Sequence, residues 1–145
     1  DMPHVTAVCS GAILSNYQRT RVESVCMRLG LTSLAYLWMG DQAKLLDEMV
    51  SSGLHAIAIK VACMGLSTKH LGQDLATLRP TLLRLNAEFG AHICGEGGEY
   101  ESFTLDCPLY KQRIVVKSST TVVHQDDEFA PVAYLHLTTM GLEPK

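Results

Sequence analysis

The apolar positions of the chain follow two rhythms, and the rhythm changes near residue 106. In the first part, short apolar runs alternate with helical stripes. Val5 to Ile13 is rich in small and β-branched residues and reads as a buried strand that runs out at Ser10-Gly11. Ser15 or Asn16 can cap a helix whose apolar residues Val22, Val25, Cys26 and Leu29 share one face, with Gly30 as its stop. Ser33 to Trp38 suits a second strand, and Asp41 caps a second helix with the stripe Leu45, Leu46, Met49 and Val50 before Gly53. That stripe reads as core, Met49 included. His55 to Ala62 is a third strand, with Lys60 near its end. After the loop Gly65 to Gly72, the stripe Leu75, Leu78, Leu82, Leu85 and Phe89 predicts a helix that spans Pro80 and ends at Gly90. Pro80 either starts a new helix or sits inside a longer one. Ala91 to Cys94 then reads as a fourth buried strand. This β-α-β-α-β-α-β alternation predicts a parallel sheet with flanking helices.

After Asp106 the helices stop. Leu109 to Val116, Thr120 to His124 and Val132 to Leu137 read as antiparallel strands, and Glu143-Pro144-Lys145 as a frayed end or the start of a linker. The expected fold class is therefore α/β, with residues 1–106 forming the α/β domain that carries the site and residues 107–145 a small β-rich extension.

Composition narrows the function classes. With 145 residues and 47% hydrophobic content the chain can bury a core as one domain. The net charge is −3 and the basic residues are scattered, so no surface suits a nucleic-acid backbone. No stretch reaches the ~20 apolar residues of a membrane span, and Asp1-Met2-Pro3-His4 shows no basic region followed by an apolar one. Neither nucleic acid nor membrane is an expected partner. Five separated cysteines, Cys9, Cys26, Cys63, Cys94 and Cys107, fit a reducing compartment, hence a cytoplasmic protein. His92-x-Cys94 supplies at most half of a zinc site, and no metal ligands are assigned.

The densest chemistry lies in His92-Ile-Cys-Gly-Glu-Gly-Gly-Glu-Tyr-Glu-Ser-Phe-Thr-Leu-Asp106, where Glu96, Glu99 and Glu101 crowd into six positions. Placed between two strands, the loop falls where open α/β sheets bind ligands. Gly95, Gly97 and Gly98 would let the backbone turn sharply or approach a ligand. The alternative is a solvated glycine-rich turn, but three like charges on a short loop favour a site. Lys60 either reaches solvent along its own strand or faces an anion at the same edge.

Several segments in order resemble the diphthine–ammonia ligase family. They are Gly11-Ala-Ile-Leu-Ser-Asn-Tyr-Gln-Arg-Thr-Arg-Val-Glu23, Leu37-Trp38, Ile59-Lys-Val-Ala62, His70-Leu-Gly72 and Cys94-Gly-Glu-Gly-Gly-Glu-Tyr-Glu101. The resemblance runs from about Val5 to about Leu137. It implies an adenine-nucleotide α-hydrolase-like fold of the PP-loop ATPase group. It also implies the last step of diphthamide biosynthesis, in which the carboxylate of diphthine on translation elongation factor 2 becomes an amide through an acyl-adenylate, with ATP, Mg²⁺ and ammonium. The family's phosphate loop, Ser-Gly-Gly-Lys-Asp-Ser, does not occur in these 145 residues. The chain therefore resembles the family's C-terminal portion, expected to supply the substrate side and to be inactive alone. Its expected partners include the N-terminal half of its own domain and, through the edge that half would cover, a second copy of itself. Gln73 replaces a usual Lys and Ser102 a usual Thr.

Within that reading Glu96, Glu99 and Glu101 are the expected catalytic residues, and Gly97, Gly98, Tyr100, Ser102 and Lys60 the expected substrate contacts. Gly11, Ser15, Gln18, Arg19 and Arg21, at a helix start, would contact the nucleotide or the activated carboxylate. The alternative for Arg19 is an i, i+4 pair with Glu23. The acidic loop could hold Mg²⁺, bind ammonium, or recognise the trimethylammonium of diphthine, with Tyr100 adding a cation–π face. A glutamate whose pKa is raised by its neighbours could deprotonate ammonium. Competing readings are another PP-loop enzyme that thiolates or amidates RNA, and a non-catalytic module or truncated isoform that binds the elongation factor or a sister domain.

Overall fold

In the computed structural model, which describes residues 4–145, each helix begins at the side chain that caps it. Helix α1 (Asn16–Leu29) has Ser15 as its N-cap, whose Oγ accepts from Gln18 N at 3.2 Å, and Gly30 as its left-handed stop at φ 67°. Asp41 accepts from Lys44 N to open α2 (Gln42–Ser51), and Asp74 accepts from Ala76 N to open α3 (Leu75–Phe89). Pro80 lies inside α3 on its exposed side, so the lost helical hydrogen bond falls away from the core. Residues 1–3, where the sequence shows no basic stretch, lie outside the described residues.

The strands form two sheets. β1 (Ala7–Cys9) pairs in parallel with β2 (Thr32–Leu34), and α1 makes the crossover between them. The other sheet has the order β4-β3-β6-β5, built from β3 (His55–Val61), β4 (Tyr100–Asp106), β5 (Gln112–Gln125) and β6 (Val132–Pro144), with every pairing antiparallel. The α/β class holds, with a parallel pair, flanking helices and an antiparallel part. Among the described residues no helix is long and apolar enough to cross a membrane.

The sequence reading needs correction at five places. β1 is shorter than Val5–Ile13 because the amides of Ile13 and Leu14 leave the ladder for Glu96, and β2 stops short of Trp38 because Ala35 to Trp38 close a turn. His55–Val61 joins the antiparallel sheet, not a parallel one. Its unbroken apolar run reflects cover on both faces, which parallel strands usually have but do not monopolise. Here the helices lie on one side, while Ile57 and Leu105 face Ile114, Val116 and Leu135 across a cavity of about 590 Å³ on the other. Ala91–Cys94 is a turn, because its amides are taken by side chains: His92 N donates to Glu99 Oε1, Ile93 N to Gln42 Oε1 and Cys94 N to His92 Nδ1. The segments after residue 107 form two long strands, since Lys117 to Thr120 continues β5 through β-bulges instead of turning, and Glu143 and Pro144 belong to β6.

The core lies between the helices and the antiparallel sheet. Leu46 of α2, Leu75, Leu78, Leu82 and Leu85 of α3, Ala56, Ala58 and Val61 of β3, and Ala133 of β6 pack together with Ile93 and Tyr100. His70, in a 3-10 turn at Thr68–His70, is buried against this body, and its Nδ1 accepts from Ser67 N at 2.9 Å. Burial, with Lys69 nearby, holds the imidazole below its ordinary pKa, so it serves as a neutral acceptor.

Candidate functional site

Two segments far apart in sequence form a cleft of about 410 Å³. The β1–α1 turn supplies Gly11 and Ile13 and the first turn of α1 supplies Gln18; the acidic loop and the start of β4 supply Cys94, Gly95, Glu96, Tyr100 and Ser102. The apolar floor is Leu46 and Met49 of α2 with Leu54 and Leu75, and Leu37 closes one side. Of the residues expected at a site, Gly11, Gln18, Glu96, Tyr100 and Ser102 therefore meet. Met49, read as core from its stripe, also faces this space.

Glu96 joins the two segments. Its Oε1 accepts from Ile13 N at 2.7 Å and its Oε2 from Leu14 N at 2.8 Å. Burial alone would raise this carboxyl's pKa, but the amides of Ile13, Leu14 and Ser15, together with His92, bring it below the ordinary value. This reverses the expected raised pKa and argues against Glu96 as a general base. His92 lies behind it, with Nε2 3.6 Å from Glu96 Oε2 and both side chains 11% exposed. The ring's Nδ1 accepts from the amides of Cys94 and Glu96, which assigns the neutral ring's proton to Nε2, on the carboxylate side.

The three glutamates do not converge. Glu99 Oε1 accepts from His92 N at 2.7 Å, whereas its Oε2 is buried without a partner. Glu101 points away and pairs with Lys60 across the β3–β4 ladder at 2.6 Å, on an exposed surface. Lys60 thus finds its anion outside the cleft. Among the described residues no three His, Cys, Asp or Glu side chains come together as a metal-holding group, and His92 Nδ1 and Cys94 Sγ are engaged by backbone. The acidic loop accordingly offers no all-protein cage for a divalent cation. Nor does it fit a phosphate: the amides of Gly95 and Gly98 bond within the turn, and the nearest charges are carboxylates.

Tyr100 departs from its expected role as an open cation–π face. Its side chain is buried, its hydroxyl donates to Ile93 O at 2.9 Å, and burial, then Cys94 and Glu99, push its pKa upward. Only the part of the ring that borders the cleft is left for a ligand. Gly95 lies against it at φ 74°, where a Cβ would come within 3.0 Å of the ring and 2.9 Å of Tyr100 O. Gly97 and Gly98 are exposed at the tip of the turn, outside the cleft. Burial also raises the Cys94 and Cys63 thiols, each helped by a neighbouring glutamate, so both behave as small apolar groups.

At the start of α1, the guanidinium of Arg19 is shared among Asn16, Glu23 at 3.5 Å and the ring of Trp38, 4.4 Å from its centroid. This is the i, i+4 alternative, with a stacking partner added. Arg21 stacks on Tyr17 and borders an apolar groove on the far side of α1. Neither arginine lines the cleft, and Ser15 is occupied as the cap. Gln73 is bonded to Lys69 O. The sequence reading missed Ile13, Leu37, Leu46, Met49, Leu54, Leu75 and Cys94 as cleft residues; the pair Leu37-Trp38, quoted as a motif and read as the end of a strand, was the available signal.

The family profile described as "Diphthamide synthase C-terminal domain" matches residues 41–135, and that described as "Diphthamide synthase N-terminal domain" matches residues 2–33. The chain belongs to the diphthamide synthase family. It is 60% identical over 98% of its length to a Danio rerio protein named diphthine–ammonia ligase and 56% identical over 97% to one of that name from Homo sapiens. A Schizosaccharomyces pombe protein of the same name is 58% identical over 92% of the chain. The chain spans about half the length of the first two, 56% and 53%, and 22% of the third. Set against the diphthamide synthase profiles, the cleft is a seam: Gly11, Ile13 and Gln18 fall in the N-terminal domain match, Leu37 in the connection, and the remaining residues in the C-terminal one.

Proposed function

We propose that this chain is the substrate-facing part of a diphthine–ammonia ligase, which converts the diphthine carboxylate on translation elongation factor 2 to an amide with ATP and ammonium in the cytoplasm. The observation that carries this reading is the 56–60% identity, across nearly the whole chain, to vertebrate proteins of that name. The cleft supports it chemically. The trimethylammonium of diphthine has no N–H to donate, so it is held by apolar and aromatic surface near diffuse negative charge. Leu46, Met49 and Leu54, the part of the Tyr100 ring that borders the cleft and the Glu96 carboxylate offer that combination, while Gln18 and Ser102 offer hydrogen bonds for the carboxylate end. All of these lie within residues 1–106, and residues 107–145 contribute the β5–β6 hairpin. Capture of the ATP phosphates falls to sequence outside these 145 residues, and no step is routed through nucleotide or Mg²⁺ here.

The test uses the full-length ligase with diphthine-bearing elongation factor, following carboxylate-to-amide conversion by mass spectrometry. Met49→Lys places a cation in the cleft, and like-charge contact should raise KM for the protein substrate by about tenfold or more. KM for ATP should stay unchanged. Equal increases for both substrates would overturn the assignment of the cleft to diphthine.

A further inference from the structure

The two family domains meet through very little. Among the described residues, every hydrogen bond that joins residues 4–34 to residues 41–145 ends on Glu96. No ion pair makes the same crossing. Of α1, only Cys26 is buried, and the groove beside it is lined by residues of its own unit. A seam held this way has few apolar contacts to resist opening, which is where low-energy motions are drawn from.

Ile13 is where the seam closes. Its N–H goes to Glu96 at 2.7 Å, its carbonyl accepts from Met39 N at 2.8 Å, and its side chain is 3% exposed. Met39 belongs to the connection between the units and has a left-handed backbone at φ 59°, uncommon for a residue with a Cβ. Such a conformation persists only where its surroundings impose it. On the other side, the buried His92 Nε2 lies 3.6 Å from the Glu96 carboxylate, in contact but beyond hydrogen-bond length, and Nδ1 is fixed by two amides. The carboxylate is braced from behind and grips from the front.

We propose that Glu96 is a positioning residue, a latch that sets the width of the cleft by holding the β1–α1 turn against the C-terminal unit, with His92 as its brace. When it releases, the first unit swings about the connection at residues 35–40 and the cleft opens for entry or exit of a ligand. The latch stands on geometry alone and does not depend on which ligand the cleft takes. It gives Glu96 a second task, beside the negative charge its carboxylate brings to the cleft.

The experiment uses this 145-residue chain and compares wild type with Glu96→Ala and Glu96→Gln. Amide exchange measured by NMR should rise about tenfold or more at Ile13 and Leu14 in Glu96→Ala, as expected for losing hydrogen bonds to a charged group. Exchange at Ala58 and Val61, both fully buried in β3, should stay at the wild-type rate. Trp38, the sole tryptophan, lies in the connection under Arg19, so iodide should quench it more strongly in the same variant. Glu96→Gln keeps the shape and one acceptor oxygen and should fall between the two; it also keeps the test usable if the alanine variant fails to fold. Unchanged exchange at Ile13 and Leu14 would overturn the latch. An equal rise at Ala58 and Val61 would overturn it too, because Glu96 would then be holding the whole fold and not a seam.

Discussion

Helices α1 and α3 are nearly equal in length and both stop at a left-handed glycine, yet α3 buries Leu75, Leu78, Leu82 and Leu85 whereas α1 buries Cys26 alone. The stripe Val22, Val25, Cys26 and Leu29 follows the same helical period as the stripe of α3, but Val25 is 47% and Leu29 66% exposed. Periodicity says which residues share a face; it does not say what covers that face. In the C-terminal unit the antiparallel sheet provides the cover. In the first unit a two-stranded parallel sheet is too small to do so, being below the size at which sheets stand alone.

The comparison is broken most directly by truncating one residue on each side. Leu78→Ala should cost about 2–5 kcal/mol by urea unfolding, because Leu78 is fully buried in the core and its loss leaves a cavity. Val25→Ala should cost well under about 1 kcal/mol, since half of that side chain is already in water. Similar costs for the two would mean that α1 is covered as well as α3.

A pair of glycines sharpens the same contrast at the cleft. Gly95→Ala puts a Cβ at φ 74° and within 3.0 Å of the Tyr100 ring, so it should destabilise the C-terminal unit by about 2 kcal/mol or more. Gly11, on the opposite lip, has an ordinary φ and open space around its would-be Cβ; Gly11→Ala should be close to neutral in thermal unfolding.

The seam between the units should show itself in acid. Glu96 has a folded pKa below its unfolded value, so its stabilisation is complete above the unfolded pKa and is lost as pH falls through the folded one. The advantage of wild type over Glu96→Gln should therefore be full above roughly pH 5 and shrink through the ordinary carboxylate range near about 4.3. Asp47, Asp106 and Asp127 also titrate below their ordinary value, but they are common to both proteins and cancel in the difference. The Cys94 thiol, which the Glu96 charge helps to raise, ionises above this pH window and does not enter the difference. A difference independent of pH from 7 to about 3 would mean that Glu96 contributes shape and not charge.

Much of this was legible in the residues. Ser15 or Asn16, Asp41, Gly30 and Gly90 mark helix ends by local chemistry, and local chemistry survives whatever the tertiary surroundings. The acidic loop was legible as unusual but not in its wiring. Crowded charges suggested one pocket, whereas Glu96 turned to the Ile13 and Leu14 amides, Glu99 to His92 N and Glu101 to Lys60. Those partners are up to 83 residues away, and no spacing rule reaches that far. The strand at Ala91–Cys94 was misread for the complementary reason: an apolar run reports burial, and here its amides were satisfied by Gln42, His92 and Glu99 instead of a neighbouring strand.

The smallest effect on stability tests the uncovered face itself. Leu29→Gln keeps helix propensity, and at 66% exposure it should change unfolding free energy by about 0.5 kcal/mol or less. Its consequence should appear in association. Val8, Val25 and Leu29 border one apolar groove, and Met27 nearby is 78% exposed, so the chain on its own presents a surface that water disfavours. Sedimentation velocity over a range of protein concentrations should show wild type forming larger species as concentration rises, and Leu29→Gln doing so less. If the two sediment alike at every concentration, the open stripe of α1 does not drive self-association, and the contrast between α1 and α3 is confined to folding energy.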